Sequence, residues 1–306
     1  MKLTGTIIML CMTLTCFAHS EESYIESELF GSLGPREKGA VLVVHFGTTH
    51  KDTREQTIDV INEKMKEVFP GIEVREAWTS RMIIRKLKAS GIEKMNPTEA
   101  LRKLHDEGYT HVLVQSTNII EGQEMKELRR EVESLSLNFK DIRLGNPLLY
   151  AAADYAEVIQ TLTEAIEPVQ KSGQKIFVGH GTADPATASY AMLDYMLKAE
   201  GYPEYHVGTV EGYPAFEDAL RLLKAGKSKE VTLIPLMFVA GDHAKNDIAG
   251  EWKGNLEKAG FRVNLYLKGL GEHTGIQDLF IAHARFAAAH KPVDMTVKKR
   301  NYSIGK

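Results

Sequence analysis

Short apolar, β-branched runs alternate with amphipathic stretches of helical period along most of the chain. Ala40 to Phe46 (AVLVVHF) reads as a buried strand. Asp52 to Phe69 follows as one amphipathic helix, with Ile58, Ile61, Met65 and Val68 on a single stripe. Ile72 to Ala77 reads as a second strand. Asn96-Pro97-Thr98-Glu99 is a helix start: Asn caps, Pro fits the first turn and Glu reaches back to the cap. His111 to Ser116 and Asp141 to Leu144 are the third and fourth strands. The pattern then begins again, with strands at Lys175 to Val178, His206 to Val210, Glu230 to Phe238 and Arg262 to Leu267. Near-continuous apolar strands separated by helices imply parallel sheets covered on both faces.

The second half reads as a degenerate copy of the first. Phe46-Gly47-Thr48 matches His180-Gly181-Thr182, each at a strand end. Ile120-Glu121-Gly122-Gln123-Glu124 matches Val239-Ala240-Gly241-Asp242-His243 further on. The expected fold class is α/β, with two similar doubly wound halves, residues 39–150 and 151–290, meeting near Leu148 to Tyr155. Their parallel sheets would face a central cleft at the strand carboxyl ends, where open α/β sheets bind ligands. A helix near the carboxyl end is expected to cross back over the first half.

Composition narrows the classes. In 306 residues, 43% hydrophobic and 26% charged is globular usage, which argues against disorder. The formal net charge of −3 lacks the basic footprint of a nucleic-acid binder. Past the amino terminus no apolar run is long enough for a transmembrane helix.

Residues 1–20 read as a cleavable signal peptide, with Lys2 as the positive region, Ile7 to Leu14 as the apolar core, and Ala18 and Ser20 before the cut. This predicts a periplasmic or otherwise exported protein. A buried amino-terminal helix and a lipoprotein signal ending at Cys16 are the alternatives, and Thr13-Leu14-Thr15 matches the second poorly. Cys11 and Cys16 both lie in this leader, so a metal site in the mature chain must use His, Asp and Glu. Residues 21–38 read as a linker, and residues 291–306 as a polar tail carrying Lys298, Lys299 and Arg300.

Three metal-competent residues each follow a strand and have a glycine within two residues. They are His180 in Gly179-His180-Gly181, Glu211 in Val210-Glu211-Gly212, and His243 in Gly241-Asp242-His243, where Asp242 could cap the next helix. In a parallel sheet all three emerge at one rim, and two imidazoles with a carboxylate suit a first-row divalent cation. Singly, each has a plainer reading: a hydrogen-bonded structural histidine, or a glutamate that caps a helix or pairs with lysine. The conjunction favours a metal or acid–base site. Glu124 is the counterpart of His243 on the opposite wall, or else a first-turn glutamate favoured by the helix dipole. Trp78, Tyr213 and Met237 are either cleft walls or core packing. Arg81, Arg85 and Lys86 are either partners for substrate carboxylates or a solvated helix face. No Gly-Lys-Ser/Thr phosphate loop occurs, so no ATP is expected.

These residues and their settings resemble the anaerobic (class II) sirohydrochlorin cobaltochelatases. The likeness runs from about Gly39 to about His290. It is carried by Val43-Val44-His45-Phe46-Gly47-Thr48, by the run from Thr79 to Leu87, by Val114-Gln115-Ser116, Gly179-His180-Gly181 and Val210-Glu211-Gly212-Tyr213-Pro214, and most of all by the run from Pro235 to Asp247. The resemblance implies a ferrochelatase-like fold and insertion of Co²⁺ into sirohydrochlorin in corrinoid synthesis. It implies His180, Glu211 and His243 as the metal triad, with His180 and Glu124 as the catalytic pair. His180 would accept pyrrole protons from a bent macrocycle in the cleft. Fe²⁺ or Ni²⁺ in place of Co²⁺, another tetrapyrrole, and a non-catalytic periplasmic carrier remain alternatives. So does a homo-oligomer. Two positions depart from the family pattern. His45 stands where a small residue is common, and Asn118 stands where some secreted members carry a histidine suited to haem. Haem is therefore not expected at that position.

Overall fold

The computed structural model describes residues 23–170 and 172–294, together with Thr296 and Lys299. The expected signal peptide, both cysteines and most of the expected tail lie outside the described residues. A short strand, β1 (Tyr24–Glu26), precedes two four-stranded parallel sheets. The first holds β2 (Gly39–His45), β3 (Glu73–Trp78), β4 (His111–Ser116) and β5 (Asp141–Leu144) in the order β3-β2-β4-β5. The second holds β6 (Gln174–Gly181), β7 (Tyr205–Glu211), β8 (Glu230–Leu236) and β9 (Arg262–Leu265) in the order β7-β6-β8-β9. One order is the other shifted by four strands, so the repeat seen in the sequence is a repeat of topology. Every residue of β2 is buried, as expected of a central strand covered on both faces.

The helices of the first half are α1 (Lys51–Gln56), α2 (Ile58–Val68), α3 (Arg81–Ala89), α4 (Pro97–Asp106) and α5 (Gln123–Leu135). The single helix expected over 52–69 is broken at Thr57, whose hydroxyl donates to the Thr53 carbonyl at 2.6 Å. The start of α4 is the expected box: Asn96 Oδ1 accepts from the Glu99 N–H, and Glu99 Oε2 from the Asn96 N–H. The second half carries α6 (Ala152–Ile166), α7 (Ala188–Ala199), α8 (Phe216–Ala225), a π-helix (Ala244–Trp252), α9 (Lys253–Lys258) and α10 (Thr274–Ala289). A last strand, β10 (His290–Pro292), pairs antiparallel with β1.

The halves share one apolar core. Val41 and Val43 of β2, Ile61 and Met65 of α2, Val158 and Leu162 of α6, Phe177 of β6 and Phe280 of α10 belong to a single buried cluster. Each such side chain contributes on the order of 1.5–3 kcal/mol on burial. Helix α10 crosses back onto β4 and α2, as the sequence suggested. Helices α4 and α5 cover the outer face of the first sheet, and α8 with the π-helix covers that of the second.

The stretch expected as a linker differs from that description. Besides β1, it holds the buried Leu29, and the N–H groups of Ser27 and Leu29 donate to Ala289 O and Ala288 O. Lys291 and Pro292, expected in the tail, belong to β10.

Candidate metal centre

Strand β6 ends at Gly181, which has φ +85°. A Cβ there would lie 1.5 Å from the Glu211 carbonyl oxygen. Only glycine lets the ends of β6 and β7 close in this way, with Gly181 paired to Glu211. His180 therefore leaves the sheet at its rim. Its Nδ1 lies 3.1 Å from the Gly181 carbonyl oxygen, which can only accept. Nδ1 thus carries the proton, and Nε2 keeps its lone pair. His243 follows β8 and meets His180 edge to face, with ring centroids 4.7 Å apart and an interplanar angle of 86°.

The structure brings His180 and His243 together but does not draw Glu211 into a set with them. Among the described residues, no three His, Cys, Asp or Glu side chains are grouped to hold a metal. Glu211 is exposed at the end of β7. Its backbone lies beside Gly181 on the neighbouring strand, one strand spacing of about 4.8 Å away. Rotation of the Glu211 side chain would be needed to close a three-ligand set.

Strand register places the opposite wall. Val44 pairs with Ser116 on β4, and its equivalent Val178 pairs with Pro235 on β8. Eight residues beyond these partners stand Glu124 and His243, so the two are structural counterparts. Glu124 is exposed in the first turn of α5. That helix start lies against the loop after His180: Lys126 Nζ donates to both Asp184 oxygens, at 2.8 and 2.6 Å. By the same offset, Phe46 is the counterpart of His180. It is exposed, so an apolar ring stands where the other half has an imidazole.

Asp242 does not cap the following helix as expected. His243 occupies the cap position, and no side-chain cap bond forms there. The Asp242 carboxylate instead accepts from Nε2 of His50 in the first half, at 2.8 Å. Lys245 Nζ lies 3.1 Å from His50 Nδ1 and donates to it, which leaves the His50 proton on Nε2. The His50 hydrogen bond holds the Asp242 carboxyl below the usual carboxylate range, with Lys86 of α3 adding to the effect.

Trp78 is fully buried and walls no cleft, whereas Tyr213 is exposed and Met237 half-buried. Arg81, Arg85 and Lys86 are exposed on α3. Asn118 is half-buried after β4, with its amide 3.9 Å from Met125 Sδ. A cavity of about 480 Å³ lined by Tyr24, Arg129, Tyr150 and His290 shares no residue with the histidine pair.

Sequence reasoning missed a buried polar chain behind the cleft. His45 is bonded through Nε2 to Asn62 Oδ1 at 3.0 Å and through Nδ1 to Thr117 Oγ1 at 3.1 Å. The Asn62 amide donates to Glu76, which is salt-bridged to Lys94. That carboxylate fixes the Asn62 amide, so His45 must donate through Nε2 and accept at Nδ1. Burial pushes the His45 pKa down. The available signal was polar residues interrupting apolar positions, His45 in β2 and Asn62 in α2.

The family described as Cobalt chelatase (CbiK) matches residues 39–289. The chain belongs to that family. It is 38% identical over 267 residues to the sirohydrochlorin cobaltochelatase of Salmonella typhimurium, covering 86% of this chain and 99% of that one. It is 34% identical over 262 residues to the sirohydrochlorin cobaltochelatase CbiKC of Nitratidesulfovibrio vulgaris, covering 83% and 92%. Among solved structures, SirB from Bacillus subtilis with Fe³⁺ shares the fold with a TM-score of 0.62 at 16% identity, covering 82% of this chain and 96% of that one. The α/β architecture of paired parallel sheets is thus the chelatase fold.

Proposed function

We propose that this chelatase inserts a divalent metal, Co²⁺ foremost, into sirohydrochlorin in corrinoid synthesis. The observation that carries the reading is the edge-to-face pair His180 and His243 at the strand rim of a cobalt chelatase family chain. The family relatives named above are cobaltochelatases, which supports Co²⁺ over Fe²⁺ or Ni²⁺ as metal substrate.

The macrocycle enters between the Phe46 wall and the histidine wall. His180 and His243 hold the incoming cation through Nε2, and Glu211 swings in to complete the shell and offset its charge. Two pyrrole N–H bonds break, the metal exchanges its protein ligands for the four macrocycle nitrogens, and two protons leave. Once the metal has passed to the macrocycle, the freed Nε2 of His180 is placed to accept a proton, and the Glu124 carboxylate stands opposite as a second acceptor. Arg81, Arg85 and Lys86 face the carboxylates of the substrate. Nothing in this scheme consumes ATP. An amide at Asn118 is no haem ligand, so haem is not part of the reading.

The leader sequence supports a periplasmic or otherwise exported chelatase. It also favours a second reading, a periplasmic carrier that binds metal or tetrapyrrole without chemistry. An anaerobic absorbance assay with sirohydrochlorin and Co²⁺ or Fe²⁺, run on the wild type and on His180→Ala, separates the two. Multiple turnover lost in the variant is the expected result. One equivalent bound without turnover supports the carrier, and equal rates in both proteins remove His180 from the mechanism.

A further inference from the structure

We infer that Asp247 is a positioning residue that aims the metal-binding nitrogen of His243 at His180. Asp247 Oδ2 lies 2.6 Å from His243 Nδ1, the shortest polar contact of either histidine. A carboxylate oxygen accepts, so Nδ1 carries the proton and Nε2 keeps the lone pair. His180 reaches the same state through a backbone carbonyl. Both rings are thereby set with Nε2 available and Nδ1 anchored, at a centroid separation of 4.7 Å. A carboxylate behind a histidine ligand fixes its tautomer and ring orientation and raises its basicity toward the metal.

The element carrying this carboxylate is a π-helix, Ala244–Trp252, which begins directly after His243. π-Helical geometry is rare and is frequently found at functional sites. This one is fastened beneath the sheet. Ala244, Ile248 and Trp252 are buried at successive turns. Trp252 lies edge-on to Phe216 at 5.0 Å, and a Cβ on Gly208 would stand 2.5 Å from its ring. Asp247 immediately precedes the buried Ile248, so its carboxylate is held by a rigid support, not a loop.

The inference rests on reading His243 as a metal-holding group. Its test therefore includes a variant of that residue. Co²⁺ alone is titrated anaerobically into the full protein at fixed pH and followed by its visible absorption. Asp247→Ala is expected to weaken Co²⁺ binding about tenfold to a hundredfold. Asp247→Asn keeps an oxygen that accepts from Nδ1 and is expected to retain most of the affinity. Equal loss in both variants, or wild-type affinity in Asp247→Ala, overturns the inference. Unchanged affinity in His243→Ala overturns the underlying reading instead. A second measurement needs no variant to fold. Nitrogen-15 spectra of the metal-free wild type are expected to show His243 protonated on Nδ1, and a proton on Nε2 would overturn the assignment.

Discussion

His50 of the first half and Asp242 of the second meet at 2.8 Å, one residue from His243. Lys245 closes the arrangement by donating to the other nitrogen of His50. Both partners of the His50–Asp242 hydrogen bond are partly exposed, so the clasp adds little to folding, about 0–1 kcal/mol. Its effect is geometric, because it ties the wall that carries Phe46 to the loop that carries His243. His50→Ala is expected to leave the melting temperature nearly unchanged and to lower kcat/KM for metal insertion about tenfold or more, since small misplacements of reacting groups are expensive. Unaltered kinetics in this variant would show that the clasp does not position the site.

Gly181 supplies a sharper test of how the rim is built. Its φ of +85° and the 1.5 Å approach of the Glu211 carbonyl to a Cβ both forbid a side chain. Gly181→Ala must part the ends of β6 and β7 and shift His180 away from His243. Gly201 is the control, with φ +91° and nothing within 4 Å of its Cβ position. Gly201→Ala is expected to cost about 1 kcal/mol and no activity. Gly181→Ala is expected to abolish Co²⁺ binding by the histidine pair. Retained binding would mean that the strand ends do not set the site.

How far the sequence carries is visible in particular residues. His111–Ser116 and Asp141–Leu144 were readable to the residue, the first as a largely apolar, β-branched run and the second as a short alternation of charged and apolar residues at the sheet edge. The break at Thr57 was not, because the apolar stripe runs through it and only the hydroxyl turned onto Thr53 marks it. Strand β1 has three residues, and its partner lies at the far end of the chain, so no local signal announced it. His180 and His243 stood out through the glycines within two residues of each. The true partner of Asp242 is 192 residues away, and no rule of spacing reaches that far.

Arg143 tests the closure of the chain ends. It is buried in β5, with its guanidinium 3.0 Å from Asp141, 3.0 Å from Ser27 Oγ and 2.9 Å from Ala288 O. Arg143→Ala leaves a partly buried carboxylate without its arginine and takes one donor from each of the Ser27 and Ala288 carbonyls. The expected loss is about 3–5 kcal/mol of unfolding free energy in a denaturant titration. Because the residue is remote from the histidine pair, metal insertion by the folded fraction is expected to persist. A loss below about 1 kcal/mol would refute the view that this arginine locks the amino-terminal segment to α10.

His206 makes a prediction about acid stability. It is buried on β7, and its Nε2 faces Gln174 Oε1 at 3.3 Å. The Gln174 amide nitrogen is committed to Leu223 O and Ser228 O, so His206 donates through Nε2 and its Nδ1 has no partner among the described residues. Burial, with Lys198 nearby, pushes its pKa from the usual 6.5 to about 4. Between those values the unfolded chain binds a proton that the folded chain refuses. Stability therefore falls as pH drops below 6.5 and levels off near pH 4, for a total of about 3 kcal/mol at most from this group. His45 is shifted downward by burial as well and acts in the same direction. His206→Gln keeps a donor toward Gln174 and has nothing to titrate. Denaturant unfolding of both proteins at pH 7 and pH 4 reads the difference. The wild type is expected to lose about 2–3 kcal/mol more than the variant over this interval, and parallel losses would show that His206 is protonated without penalty in the fold.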